Sequence, residues 1–409
     1  MLKIWEKSNL TQRILAGLLA GVALALVFGK SASFIGIFGH LFVGALRAVA
    51  PMLVFVLVIA AICRHGAGKK TGMKLFLTLS FIGMFAAAAT SVAASFMFPT
   101  TLVFADSAPA DVSRAGGISG VILNLLMSVV SNPVKSLMEG NYIGILAWSV
   151  LLGVALQKLA SEQTKALMSD LAGAVTFIVR LVINCAPIGI MGLVYSSIAE
   201  SGLGVLLGYG RLIVVLVATM LFVSLVVNPL MAFIVMRSNP YPLVLRCLRD
   251  SGLTAFFTRS SAANIPVNMA LCEKLGFDKN TYAVAVPLGA TVNMAGAAVT
   301  ISVMSLAAVH TLGLGVDLPT ALLLCVVATL SACGASGIAG GSLMLIPLAC
   351  NLFGISPEIS AQVMGIGFII GVVQDSCETA LNSHSDIVYL GIVEGRNRRA
   401  RSPQPPPAP

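Results

Sequence analysis

The sequence predicts an all-α polytopic membrane protein, because its composition is too apolar and too poor in charge for a soluble fold. Hydrophobic types make up 57% of the 409 residues and charged types only 10%, whereas soluble domains carry about 45–50% and about 25%. The mean hydropathy is +0.96. These values exclude a disordered chain, and apolar runs of helix-spanning length exclude a β-barrel of short alternating strands.

The positive net charge indicates membrane topology rather than nucleic-acid binding. The chain has 25 Lys+Arg against 16 Asp+Glu, a net charge of +9, and the cations lie mostly in gaps between apolar runs, where they would face acidic lipid. The eight cysteines form no CxxC motif and most lie in apolar runs, so we interpret them as buried thiols. The opening MLKIWEKSNLTQR lacks a small-residue cleavage site, and no cleaved signal peptide is expected.

The first two thirds of the chain contain the clearest spanning helices, for which about 20 apolar residues suffice. The predicted spans are 14–29, 36–62, 75–98, 143–157, 171–198 and 211–236. Segment 119–140 is intermediate, and its Asn132-Pro133 and Glu139-Gly140 pairs predict short helical pieces.

The distribution of Lys and Arg predicts that both termini lie in the cytoplasm. Positive residues cluster before the first span, in segment 64–74 and at 396–401, whereas segment 99–118 carries two aspartates and one arginine and is expected outside. The proline-rich end predicts a disordered cytoplasmic tail at 396–409.

The last third begins with a predicted re-entrant hairpin. An apolar run at 243–257 reaches the polar segment TRSSAANIP at 258–266, and a second short run ends at Cys272. Each arm is too short to span the membrane comfortably, and charged residues flank both ends, so both ends are expected in water on one side. The alternative is a soluble loop at 258–264.

A broken helix follows at 282–312. The segment PLGATVNMAGAA at 287–298 combines a proline and two glycines, which lower helix propensity, with Asn293, which can cap or coordinate. Free carbonyls at membrane depth are tolerated only when buried or lining a cavity, and they are suitable ligands for a hard cation such as Na⁺.

A second hairpin is predicted from two apolar arms, 318–332 and 342–353, around the glycine-rich segment GASGIAGGS at 334–342. Asp317 and Glu358 mark its wet ends, one crossing later than those of the first hairpin, which places it on the outer face. The alternative, a phosphate-binding loop, is disfavoured because no Lys/Ser pair follows the glycines.

The final helix, 359–393, carries a polar stripe. Its members lie at offsets 0, 3, 4, 7 and 11, which places them within about 100° of one another on a helix. They are Asp375, Glu378, Thr379, Asn382 and Asp386. Because unpaired acids in lipid are costly, the stripe should face a bundle interior, a cavity or a cation. The alternative is that the helix end near Asp386 is solvated.

A hairpin followed by a broken or polar helix thus occurs twice, and the two hairpins are expected to enter the membrane from opposite faces. Such paired interruptions are typical of inverted-repeat secondary transporters with a binding site near the membrane midplane. No ATP-binding motif is present, so an ion gradient would have to drive uphill transport.

At these motifs the chain resembles the dicarboxylate/amino acid:cation symporter family of glutamate and neutral amino-acid transporters. The resemblance covers nearly the whole chain and rests on TRSSA (258–262), PLGATVNMAG (287–296), the glycine tip and DSCETALN (375–382). It is strongest toward the bacterial branch that carries serine and threonine with sodium. The resemblance implies eight transmembrane helices plus two re-entrant hairpins in inverted repeats, a homotrimer, and a bacterial inner-membrane location.

The resemblance also implies a division into a fixed scaffold and a mobile transport unit. Residues 1–240 would be mainly scaffold and trimerisation spans, with spans three and six joining the transport domain. Residues 241–395 would form the transport core, with both hairpins, the broken seventh helix and the eighth helix.

The resemblance assigns roles to individual residues. Asp375 corresponds to the acid that holds the substrate α-ammonium, and Asn382 to the amide beside the α-carboxylate. The other substrate-binding residues would be Arg259, Ser260, Ser261, Ile338, Gly340, Glu378 and Thr379. One sodium site would combine Asp386 with carbonyls of Gly289, Asn293 and Asn382. A second would combine Thr291 and Met294 with the backbone of Ala332, Cys333 and Ala335.

Two departures from the family pattern bear on the substrate. Glu378 stands where acidic-substrate members have an arginine, and a glutamate there would repel a side-chain carboxylate. Ala295 stands where the family has an aspartate, which removes one ligand of a third sodium site. We expect Arg259 at the hairpin tip to offset one charge of the acidic face. Alternatively, Glu378 is protonated or hydrogen-bonds the substrate hydroxyl.

The expected function is therefore symport of L-serine and L-threonine with Na⁺, with no enzymatic activity, no organic cofactor and no nucleic-acid partner. The alternatives are a proton- or sodium-coupled dicarboxylate carrier, which conflicts with Glu378, and an amino-acid-gated channel or sensor.

Overall fold

The structure is a computed structural model that describes residues 10–64, 72–104, 127–202, 204–335 and 340–401, and all regular secondary structure in these ranges is helical. In chain order the helices are α1 (Leu10–Phe28), α2 (Gly36–Arg64), α3 (Met73–Met97), α4 (Pro133–Glu139), α5 (Tyr142–Leu159), α6 (Glu162–Asn184), α7 (Ala186–Ser201), α8 (Gly204–Phe222), α9 (Asn228–Met236), α10 (Tyr241–Cys247), α11 (Leu253–Thr258), α12 (Ile265–Lys274), α13 (Lys279–Val292), α14 (Ala295–Thr311), α15 (Leu318–Ala332), α16 (Ile346–Asn351) and α17 (Pro357–Arg401). Two π-helical turns, Val223–Val227 and Leu248–Gly252, join α8 to α9 and α10 to α11.

Within these ranges, seven helical stretches are long and apolar enough to cross a membrane. They are Gln12–Ala60, Met73–Met97, Tyr142–Leu159, Glu162–Asn184, Leu207–Met236, Lys279–Thr311 and Pro357–Arg396. Two further apolar helices, Ala186–Glu200 and Leu318–Ala332, are shorter. The prediction of a multi-pass helical membrane protein is confirmed, whereas the number of eight spans stays a prediction.

The predicted span 171–198 differs from the structure, which contains two helices here. Helix α6 begins earlier, at Glu162, because the side chain of Ser161 accepts the N–H of Thr164 and caps it. It ends at Asn184 because Pro187 has no N–H to continue the ladder, and α7 begins beyond Cys185.

Helix α17 also runs further than predicted. It continues to Arg401 and so includes the beginning of segment 396–409, which was expected to be disordered. Residues 402–409 lie outside the described ranges.

The short helical piece predicted around residue 136 is present as α4. The side chain of Asn132 accepts the N–H groups of Val134 at 2.9 Å and Lys135 at 3.1 Å, and Gly140 ends the helix with a positive φ of 67°. Residues 119–126 of the predicted segment lie outside the described ranges.

The helices pack in two groups. Helices α1, α2, α5, α6 and α7 pack against one another, and α3, α8, α9 and α10–α17 form the second group. Helix α17 also contacts α1, α2 and α7 and so joins the groups. The close approach of α1 to α7 depends on Gly17 and Gly21, where a Cβ would lie 2.1 Å and 2.6 Å from backbone oxygens of Pro187 and Met191.

The interruptions predicted for the last third are present. Helices α10, α11 and α12 occupy the segment predicted as the first hairpin (residues 241–274), and α15 and α16 occupy the segment predicted as the second (residues 318–351). We call these segments the first and second hairpin, and their re-entrant course stays a prediction. Asn293 and Met294 leave the helical conformation between α13 and α14. Helix α14 is buried from Ala295 to Val309, so it is the central helix around which the second group packs.

Candidate functional site

One buried polar region connects the middle of α17 with Arg259 of the first hairpin, with Gly340 and Ser342 of the second, and with the break between α13 and α14. The stripe predicted on α17 is buried along its whole length, from Asp375 at 2% exposure to Asp386 at 1%. The alternative of a solvated helix end at Asp386 is therefore wrong.

Asp375 joins both hairpins to α17. Its Oδ2 accepts a hydrogen bond from Nε of Arg259 at 2.8 Å, and its Oδ1 accepts the backbone N–H of Gly340 at 3.1 Å. The side chains of Arg259 and Asp375 are 10% and 3% exposed, so the ion pair is buried. The expected pairing of Arg259 with the acidic face is thus present in the structure.

The backbone positions Arg259 for this contact. It ends α11 in the left-handed conformation, with φ of 50°, and its N–H bonds to the carbonyl of Ala255. A non-glycine residue rarely adopts this conformation. The guanidinium also lies 3.4 Å from the carbonyl oxygen of Gly371, so two points on α17 hold it.

Glu378 lies one turn further along α17 and is surrounded by uncharged donors. Its Oε2 accepts the hydroxyls of Thr300 and Ser342, each at 2.7 Å, and the side-chain amide of Gln374. Thr300 belongs to α14 and Ser342 to the second hairpin, so this carboxyl group connects three elements. No described ion pair involves Glu378.

The remaining residues predicted to bind substrate have differing surroundings. Asn382 accepts the N–H of Gly296 at 2.7 Å, at the start of α14. Thr379 donates its hydroxyl to the carbonyl of Asp375 on its own helix. Ser261 is 3% exposed, and the Oγ of Ser260 accepts the N–H of Ala263 within the tip. Ile338 lies outside the described residues.

Asp386 forms the candidate cation site with the break in α13–α14. Its Oδ1 accepts Nδ2 of Asn293 at 2.9 Å. A Cβ at Gly289 would lie 2.4 Å from the same oxygen, so the helix approaches the carboxylate as closely as glycine allows.

The described residues do not balance the charge of Asp386 or satisfy every hydrogen-bonding atom of Asn293. None of their ion pairs involves Asp386, and the buried Oδ1 of Asn293 has no hydrogen-bond partner among them. Buried polar atoms are normally paired, and a buried carboxylate normally has a cation. Oxygen ligands of this kind suit a hard cation such as Na⁺.

The residues predicted for the second sodium site belong to two separate elements. Thr291 is exposed and donates its hydroxyl to the carbonyl of Leu288, while the N–H of Met294 points to the sulfur of Met84. The carbonyl of Ala332 accepts the N–H of Ala335, and the thiol of Cys333 donates to Thr329. No described hydrogen bond links the α13–α14 members with those of the second hairpin, so this set stays a prediction.

The sequence analysis missed a buried polar cluster that fastens the first hairpin to α17. The cluster consists of Ser251, Asn264, Asn268 and Ser383. Nδ2 of Asn264 lies 2.7 Å and Nδ2 of Asn268 lies 3.1 Å from Oγ of Ser383, and Ser251 donates to Oδ1 of Asn268. Two asparagines four residues apart in the second arm were the available signal, since both lie on one helix face.

Comparison with known proteins identifies the family of this chain. A sequence profile of the sodium:dicarboxylate symporter family matches residues 10–395. Three proteins from Streptococcus agalactiae, of serotypes Ia, V and III, are each named Serine/threonine transporter SstT. Each is 56% identical to this chain over 393 residues, which cover 96% of the chain and 97% of the relative. Given a family match along almost its whole length, the chain belongs to the sodium:dicarboxylate symporter family.

Proposed function

We propose that this protein is a symporter that imports L-serine and L-threonine with Na⁺ across the bacterial inner membrane. The observation that carries the proposal is the buried stripe of α17, whose carboxylates meet both hairpins and the break in α13–α14. The names of the streptococcal relatives support the choice of substrate.

Asp375 supplies the charge that an α-ammonium group requires. Its Oδ1 is held by one backbone N–H, that of Gly340 in the second hairpin, whereas its Oδ2 is held by Arg259. Opening the second hairpin would free Oδ1 for an ammonium group, which donates three hydrogen bonds. Asn382 and the first hairpin tip lie beside the position proposed for the substrate carboxylate.

Glu378 explains the selectivity for neutral substrates. A side-chain carboxylate placed beside it would meet like charge in a site of low dielectric, where repulsion is strong. A hydroxyl can instead donate to this carboxyl group, as Thr300 and Ser342 already do. Serine and threonine carry such a hydroxyl, whereas aspartate and glutamate do not.

Sodium binding is proposed at Asp386 with the carbonyls of Gly289, Asn293 and Asn382. Among the described residues, no cation pairs with Asp386 and no hydrogen bond reaches Oδ1 of Asn293, and both observations support this site. Sodium there would balance a carboxylate that is otherwise expensive to bury, which couples ion binding to closure of the site.

We propose an elevator mechanism in a homotrimer, with the second hairpin as the lid. The cluster of Ser251, Asn264, Asn268 and Ser383 anchors the first hairpin, whereas the second meets α17 through Gly340 and Ser342. A cavity of about 270 Å³ between α2, α7 and the start of α17 leaves the two helix groups incompletely packed, which supports relative motion.

The deciding experiment measures uptake of labelled serine by proteoliposomes containing the purified full-length protein. We expect uptake with an inward Na⁺ gradient, inhibition by excess threonine, and no effect of excess aspartate. Liposomes without protein and an inward K⁺ gradient are the matched controls. Uptake that is independent of Na⁺, or strong inhibition by aspartate at neutral pH, would contradict the proposal.

A further inference from the structure

An apolar cavity of about 490 Å³ lies between α3 and α8, and none of its lining residues belongs to the acidic stripe of α17. We call it the α3–α8 groove. Its lining residues are Thr90, Ala93, Ala94, Met97 and Phe98 from the α3 side, and Arg211, Val214, Val215, Ala218, Thr219 and Phe222 from α8. Met97, Val214 and Phe222 are 71%, 65% and 50% exposed, so the groove is open to the surroundings.

The walls of the groove offer almost no polar contact. Both threonines donate their hydroxyls to their own helices, Thr90 to the carbonyl of Ala86 and Thr219 to that of Val215, each at 2.7 Å. Alanine methyl groups and the exposed apolar side chains make up most of the remaining surface. A molecule lying along the groove must therefore be apolar over most of its length.

Arg211 is the exception. Its side chain is exposed, and within the described part of the chain it forms neither a hydrogen bond nor an ion pair. An arginine in a spanning helix is costly unless its head reaches the interface or a partner of opposite charge.

The surroundings of Gly208, about one helical turn before Arg211, show where Arg211 lies along the bundle. A Cβ on Gly208 would lie 3.9 Å from the carbonyl oxygen of Thr101, in the segment that follows α3. Arg211 therefore lies near the end of the bundle where α3 finishes, which the distribution of Lys and Arg predicts to be the outer end.

We propose that the α3–α8 groove binds one phospholipid of the outer leaflet, with an acyl chain along the groove and the phosphate on the guanidinium of Arg211. The charge of the phosphate complements that of Arg211, the one cation among the described lining residues, and the planar guanidinium matches phosphate oxygens in pairs. Because all phospholipids share this phosphate, binding should depend little on the rest of the headgroup. The proposal does not depend on which substrate is transported.

The test counts phospholipid bound to the full-length protein by native mass spectrometry, first as extracted and then after delipidation and titration with phosphatidylglycerol or phosphatidylethanolamine. We expect one tightly bound phospholipid per protomer and similar affinities for the two lipids. Arg211→Gln removes a charge-assisted contact and should weaken binding about tenfold or more. Ala218→Phe fills the groove at an exposed position and should weaken binding with Arg211 intact.

Arg180→Gln is the matched control, because Arg180 is an exposed arginine on α6, away from the groove. We expect it to bind phospholipid like the wild type, and serine uptake verifies that each variant is folded. Equal loss in the two arginine variants, or an unchanged affinity in Ala218→Phe, overturns the proposal.

A photo-crosslinker at position 214 identifies the occupant of the groove in native membranes. Labelled phospholipid is the expected product. Crosslinking to residues 105–126 of the chain itself would show that this segment, and not lipid, occupies the groove, and would overturn the proposal.

Discussion

The ion pair between Arg259 and Asp375 makes Asp375→Asn the most informative single substitution. Asparagine has the same shape, so the change removes charge and leaves the volume of the site intact. The side chains of Asp375 and Arg259 are 3% and 10% exposed, and breaking such a buried pair costs about 3–5 kcal/mol. A substrate ammonium would lose a charge-assisted hydrogen bond of about 1.5–3 kcal/mol, which corresponds to about 10- to 150-fold weaker binding.

The assay combines serine uptake by proteoliposomes with a thermal unfolding measurement on the same preparation. We expect Asp375→Asn to abolish uptake and to lower the unfolding temperature, because the guanidinium of Arg259 loses the carboxylate charge of Asp375. The double variant Asp375→Asn/Arg259→Gln restores the charge balance and should recover much of the stability without recovering uptake, which isolates the pair. Near-normal serine uptake by Asp375→Asn would refute the assignment of Asp375 to the ammonium.

Four further predictions concern the ion site, selectivity and one helix cap. Asp386→Asn should raise the Na⁺ concentration for half-maximal uptake more than it raises the KM for serine, and an unchanged Na⁺ dependence would remove Asp386 from the ion site. Gly289→Ala should have the same effect without changing any charge, because its Cβ would lie 2.4 Å from the Asp386 carboxylate; Na⁺ titration of uptake measures it. Glu378→Gln removes the like charge and should let aspartate compete weakly with labelled serine, whereas Glu378→Arg should lose serine uptake and admit weak aspartate binding. Strong inhibition of the wild type by aspartate, or equally complete exclusion of aspartate by Glu378→Gln, would be inconsistent with this role. Hydrogen bonds from the hydroxyl and N–H of Thr320 lower the pKa of Asp317 in the folded protein. This cap therefore stabilises α15 fully above the unfolded pKa, and the stabilisation is lost as the pH falls through the lower folded pKa. In Asp317→Asn, the unfolding temperature should fall less on acidification than in the wild type.

The surroundings of Glu378 make it central to the proposed selectivity for neutral substrates. Three uncharged donors surround its Oε2, and they come from α14, α17 and the second hairpin. Any substrate that closes the second hairpin over this carboxyl group must tolerate the contact between Ser342 and Glu378. A substrate with its own carboxylate there would compete for the same donors and bring like charge into a buried site.

Local pattern alone predicted most of the architecture. The lengths of the apolar runs predicted several long apolar helices, and the interruptions predicted the break at Asn293–Met294 and the short helices of the last third. Periodicity placed Asp375, Glu378 and Asp386 on one face of the last helix. These features follow from the sequence because each depends only on neighbouring residues and on the cost of exposing backbone or charge to lipid.

The ends of the helices were predicted less well. They depend on capping residues and prolines, which are local features but are not part of the apolar pattern. The cap at Ser161 starts α6 before its apolar run, and Pro187 divides what hydropathy alone presents as one span. Helix α17 continues past its apolar residues to Arg401, because a helix can extend into water once its buried part has fixed its direction.

Only the tertiary structure decided which distant groups meet. Arg259 and Asp375 are separated by more than a hundred residues, and their contact depends on how the first hairpin lies against α17. The donors to Glu378 and the cluster around Asn264 likewise come from elements whose relative positions no local pattern specifies. The sequence determined which helices must be buried and which residues share a face, because periodicity is a property of one helix. The choice of partner across helices belongs to packing, since it depends on shape and close contact among elements far apart in the chain.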